Sequence, residues 1–101
     1  MTIAPVQRRV AAEFVGTMLL VTAVVGSGIM ATLLSDDIGV QLLINMLATV
    51  LVLGLLIWSL GPISGAQFNP AVTGVAMARR EMRLSEGLAY IPAQIVGAIC
   101  G

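Results

Sequence analysis

Two long apolar runs dominate the chain, and neither carries the polar stripe of a helix on a soluble domain. The first extends from Val10 to Leu34 behind Arg8 and Arg9, with Glu13 its one charge. The second extends from Val40 to Leu60 and carries none. At about 1.5 Å per residue each is long enough to cross a hydrocarbon layer of about 30 Å. The pattern predicts helices over about 8–34 and 40–60. Ser35-Asp36-Asp37-Ile38-Gly39 breaks them apart as a solvated turn with a helix cap. A third run, over 84–101, gives only about 17 residues from Ser85, at the lower limit for a span. Ser85 is its expected N-cap.

Between the second and third runs lies Gly61 to Arg80, GPISGAQFNPAVTGVAMARR. Gly61, Pro62, Ser64 and Gly65 predict an extended or turning segment. Asn69-Pro70-Ala71 then reads as a helix start, with Asn as the cap and Pro at the first helical position. The helix is apolar to Ala78 and stops at Arg79, Arg80 and Glu81. Its length of roughly 16 Å is half of what a crossing needs. A half-helix that enters and leaves on one side accounts for both its shortness and its apolarity. Such a helix aims free N–H groups and about half a positive charge at the bilayer centre. Irregular backbone survives at that depth only inside protein or along a wet cavity. Carbonyls before the helix, with the Asn69 amide at its tip, would then meet a passing solute, while the dipole repels cations and protons. The competing reading, a capping Asn-Pro in a soluble loop, does not account for the apolar setting.

Composition supports the membrane as solvent. Hydrophobic residues make up 58% of the chain and charged residues 10%, against about 25% charged in soluble domains. Formal net charge is zero and no basic run occurs, so nucleic acid is not an expected partner. Histidine is absent and Cys100 is alone, which argues against a zinc site, a His-based acid–base site and an internal disulfide. No phosphate-cradling motif is present, and neither enzymatic chemistry nor a cofactor is expected. The arginines before the first run could open a signal peptide. The apolar part is too long for one, however, carries Glu13, and lacks a small-residue cleavage site.

Several polar and small residues inside the runs need partners. Glu13 either pairs with Arg9 one turn away or receives the free N–H groups of 62–68. Asn45 and Thr49 share one face of the second helix, turned to a pore or to another helix. Gln94 requires a hydrogen-bond partner, with helix-packing glue its simplest role. Gly16, Gly26 and Gly28, and the stripe Ala89, Ala93, Gly97 and Gly101, read as points of close helix approach. Trp58 suits an interfacial anchor. The arginines, at positions 8, 9, 79, 80 and 83, flank an intervening connection that holds only Asp36 and Asp37. The positive-inside rule therefore puts the N-terminus in the cytoplasm and the half-helix entering from that side; the cytoplasmic membrane is the expected location.

Ser64-Gly65-Ala66-Gln67-Phe68-Asn69-Pro70-Ala71-Val72-Thr73 closely resembles the first Asn-Pro-Ala loop of the aquaporin and glycerol-facilitator (major intrinsic protein) family. Ala12-Glu13-Phe14-Val15-Gly16-Thr17, and Tyr90 with Ala93-Gln94 and Gly97-Ala98, match the family in order and spacing. The resemblance implies an all-α membrane protein with three transmembrane helices and one re-entrant half-helix, residues 1–101 forming the N-terminal half of a channel domain. Only the first of the family's two Asn-Pro-Ala loops occurs. The implied activity is passive passage of water or small neutral solutes. Asn69, Pro70 and Ala71, with the backbone of Gly65, Ala66 and Gln67, would line the pore. The resemblance makes Glu13 a brace for the loop and puts Gln94 close by. By family spacing Thr49 falls in the selectivity filter. Thr is smaller there than the aromatic of water-selective members, which leans towards glycerol-like polyols or neutral metalloid hydroxides.

The expected partners are the lipid bilayer, the solute, and a complementary second half or longer parent chain. The family also implies assembly of four complete channels. An inverted second copy is disfavoured, because it would place its arginines outside. A secondary transporter with a broken-helix site and a non-conducting membrane fragment are the alternatives.

Overall fold

The computed structural model describes residues 5–80 and 82–101; residues 1–4 and Glu81, the acid expected to help end the half-helix, lie outside the described residues. Four helices follow in order: α1 (Val6–Leu34), α2 (Ile38–Ser64), α3 (Pro70–Ala78) and α4 (Leu84–Cys100). α1 and α2 are both long and apolar enough to cross a membrane; α4 is a shorter apolar helix. α1 is central, packing on α2 and α4, while α3 packs on α4.

α2 starts two residues before the expected Val40, so Ile38 and Gly39 of the predicted turn belong to the helix and Asp37 is its cap. The Asp37 carboxylate accepts from Val40 N at 3.1 Å, and Gln41 reaches back to the Ser35 carbonyl at 2.7 Å. Its far end differs from expectation. Gly61 and Pro62 do not interrupt it, and the helix runs on to Ser64. Proline removes one ladder bond, yet the next bonds re-form, with Gly65 N on the Gly61 carbonyl at 2.8 Å. The stop is Gly65, which turns left-handed at φ 89°, a conformation glycine adopts without a Cβ clash. The irregular stretch is thereby shortened to four residues, 65–68, plus the cap Asn69.

α3 is a nine-residue helix of about 14 Å. The Asn69 carboxamide oxygen accepts from Ala71 N at 2.7 Å, with Pro70 in the first turn. α4 also begins differently from expectation. Its N-cap is Arg83 without a side-chain bond, and Ser85 lies inside the first turn. Glu86 stands in that turn instead, where a negative charge complements the helix dipole.

Small residues bring α4 onto α1. A Cβ on Gly97 would lie 2.5 Å from the Phe14 carbonyl oxygen, and one on Gly101 2.5 Å from that of Met18. A Cβ on Gly28 would lie 3.5 Å from the Asn45 amide nitrogen, an ordinary contact. Gly26 does not mark a close contact, since nothing stands within 4 Å of its would-be Cβ. Asn45 donates to the Val24 carbonyl at 2.8 Å and to Ser27 Oγ at 3.0 Å, so it joins α2 to α1.

Candidate functional site

A single carboxylate gathers three helices and the loop. Glu13 is on the second full turn of α1 and entirely buried, where an unpaired charge would be expensive. Its Oε2 accepts from Ser64 Oγ at 2.6 Å and Gln67 N at 3.3 Å. Its Oε1 accepts from Phe68 N at 2.9 Å and Gln94 Nε2 at 2.7 Å. Of the two partners open to it, Glu13 has the loop amides. Arg9 turns away to form an ion pair with Glu86.

The loop backbone explains why such an acceptor is needed. Gly65, Ala66 and Phe68 have φ of 89°, 51° and 50°. For non-glycine residues the left-handed region costs roughly 1–2 kcal/mol each. Bonds to a charged acceptor contribute about 1.5–3 kcal/mol apiece, enough to offset that strain. Ser64 Oγ adds a local turn, accepting from Ala66 N at 3.2 Å. The Phe68 ring is buried and lies on Gly16, where a Cβ would fall among its ring atoms. Gly16 is thus a close-approach point to the loop.

A closed circuit of side chains surrounds the carboxylate. Gln94 Nε2 also donates to Thr73 Oγ1 at 2.9 Å, and Thr73 donates to Gln67 Oε1 at 2.6 Å. Gln67 closes the ring through its own N–H to Glu13. Thr73 and Gln94 are wholly buried. A second chain anchors the end of α2. The Tyr90 hydroxyl donates to the Ser64 carbonyl at 2.9 Å and accepts from Arg9 Nε at 3.0 Å. Sequence reasoning assigned no role to Thr73 or to Tyr90. The available signal was polarity on helix faces that are otherwise apolar, at positions one turn from Asn69 and from Gln94 respectively.

Asn69, Pro70 and Ala71 are exposed. With Asn69 Oδ1 held by the Ala71 N–H, the amide Nδ2 points its hydrogens away from the helix cap. Thr49 is not drawn into this cluster. It lies on α2, half-buried, with its hydroxyl oxygen buried and unpartnered.

The chain matches the model of the Major intrinsic protein family over residues 1–101. It is 49% identical over 94 residues to Aquaglyceroporin AqpS of Rhizobium meliloti (strain 1021), covering 93% of this chain and 40% of that protein. It is 37% identical over 94 residues to Aquaporin C of Dictyostelium discoideum, covering 93% and 34%. Aquaporin Z of Photorhabdus laumondii is 37% identical over 92 residues, covering 91% and 39%. The chain thus spans about two fifths or less of the length of these curated relatives. No solved structure matches it. With this match along its whole length, and with four helices among the described residues, two of them long and apolar enough to cross a membrane, the chain belongs to the major intrinsic protein family of α-helical integral membrane channels.

Proposed function

We propose that residues 1–101 act as the N-terminal half of a passive channel for water and small neutral solutes, completed by a second half. The observation that carries this is the Glu13 knot. It holds a left-handed loop so that α3 starts part-way through the fold with Asn69 exposed at its tip. The half-helix projects its positive end at the solute path, and the Asn69 Nδ2 donates to a passing oxygen. The backbone of Gly65, Ala66 and Gln67 supplies acceptors, while Pro70 and Ala71 line the same tip. Glu13 and Gln94 support the loop without touching solute.

The N-terminus and the arginine-rich connection after α3 face the cytoplasm, the chain sits in the cytoplasmic membrane, and complete channels assemble as tetramers. Thr49 belongs to the filter, where its small side chain favours glycerol-like polyols or neutral metalloid hydroxides. Similarity to a protein named an aquaglyceroporin supports the polyol. An ion-coupled transporter is less well supported, because the one acid buried in α1 already accepts from four donors.

Stopped-flow light scattering on proteoliposomes tests the proposal, using this chain alone and this chain joined to a second half. The joined channel is expected to pass water or glycerol above empty vesicles. Asn69→Asp preserves the helix cap but removes the amide donor, and is expected to abolish that passage. Equal permeability with Asp at 69 would remove Asn69 from the solute path. Saturable, gradient-driven uptake would replace the channel with a transporter.

A further inference from the structure

We propose that Gln94 and Thr17 hold a water molecule in the cleft between α1 and α4, beside the start of α3. The cleft also reaches Asn69 and Pro70 at the tip of α3. The two groups that would hold the water belong to α1 and α4, however, and their need for a partner does not depend on whether the chain conducts. Gln94 is 0% exposed and Thr17 4% exposed, and both Gln94 Oε1 and Thr17 Oγ1 are buried with no protein partner. Both residues line one cleft of about 420 Å³, whose other walls include Val21, Phe68, Asn69 and Pro70.

The direction of the Gln94 amide is chemically determined. Its Nε2 meets Glu13 Oε1 at 2.7 Å and Thr73 Oγ1 at 2.9 Å. A carboxylate oxygen cannot donate, so exchanging the amide's N and O would set two acceptors together. The Thr73 proton is committed to Gln67 Oε1. Gln94 Oε1 therefore needs a donor from outside the circuit. Thr17 is one turn beyond Glu13 on the same face of α1, and its hydroxyl both donates and accepts. A water donating to Gln94 Oε1 and bonded to Thr17 Oγ1 satisfies both atoms. The cleft far exceeds the roughly 30 Å³ a water occupies, and two polar partners meet the minimum for an ordered one. Asn69 is the other polar side chain on the cleft, and its oxygen is taken by Ala71 N, so the two unpartnered oxygens of Thr17 and Gln94 mark the place of the water. The water completes the ring that points Gln94 Nε2 at the loop anchor.

The competing account is local: Thr17 turns its hydroxyl to the Glu13 carbonyl one turn back, and no water is held. Magnetisation transfer from water to the Gln94 side-chain amide, measured by NMR on the isotope-labelled 101-residue chain in lipid nanodiscs, separates the two. The native chain is expected to show a long-lived water contact, retained in Thr17→Ser and lost in Thr17→Val. Absence of that contact in the native chain, or its equal strength in Thr17→Val, overturns the site. Unfolding of the same variants supplies a second reading. Valine is expected to lower the folded-to-unfolded ratio about fivefold relative to serine, through the unsatisfied Gln94 oxygen. A ratio equal to or above that of serine counts against the water.

Discussion

Glu13 illustrates how much one residue can organise. Its two oxygens accept from four groups on α2, the loop and α4. Glu13→Gln keeps the volume but sets an amide N–H2 against donors. The expected cost is roughly 2–3 kcal/mol, read as a lower unfolding midpoint in mixed micelles with faster protease cleavage at 65–68. The glycines are expected to divide sharply. At Gly97 an added methyl meets the Phe14 backbone oxygen, which cannot step aside, so Gly97→Ala should weaken or prevent α1–α4 packing. At Gly26 it meets nothing, and the better helix propensity of alanine should leave stability unchanged or raise it by up to about 1 kcal/mol. Comparing the two unfolding curves checks both. At this scale the sequence was partly legible: a buried acid calls for donors, but whether Arg9 or the loop supplied them depended on the path of α2 and α4.

Among the elements, the end of α2 is the instructive one. A Gly-Pro pair reads as a break, yet the helix continues because only one ladder bond is lost and the following amides recover theirs. Pro62→Ala is therefore expected to leave the helix end in place, whereas Gly65→Ala should cost about 1–2 kcal/mol by forcing alanine to φ 89°. Hydrogen exchange at Ala66–Phe68 N–H groups distinguishes them, with faster exchange only in the second variant. The same helix end is held from outside by Tyr90, whose hydroxyl bonds the Ser64 carbonyl and is itself gripped by Arg9. Tyr90→Phe is expected to lose about 1 kcal/mol and to speed exchange in the loop, while leaving the Glu13 bonds to Gln67 and Phe68 in place. Ser85 was the natural cap for α4 by residue type, but the cap falls two residues earlier, at Arg83, and Glu86 takes the dipole-facing position while pairing with Arg9.

The whole molecule is mostly outward-facing apolar surface. Only Leu56 and Ser64 of α2 are buried, and Trp58 is 81% exposed. Lipid or a complementary half must cover such a surface, since water would not. The single Trp offers a direct probe. Trp58 lies near the end of α2 nearest the loop, so quenching by lipids carrying bromine at graded depths should be strongest from the shallow positions. Strongest quenching from the acyl-chain ends would place this end of α2 deeper than the arginine distribution implies.

The hydrophobic runs, a polar break between them within 35–39 and the Asn-Pro start of α3 were determined by the sequence itself. Each depends on neighbours within a few residues: run length against bilayer thickness, a side chain capping the next turn, a ring that pre-sets φ. The family motifs likewise stand in the linear order of residues. What only the tertiary structure decided is which distant groups meet. Glu13 and Gln94 are 81 positions apart, and no local rule joins them. They come together because glycines let α4 approach the α1 backbone, and because the left-handed loop turns two N–H groups towards the same carboxylate. The helix starts and stops are local events in backbone conformation, whereas the anchor of the loop is a long-range balance between strain and buried charge.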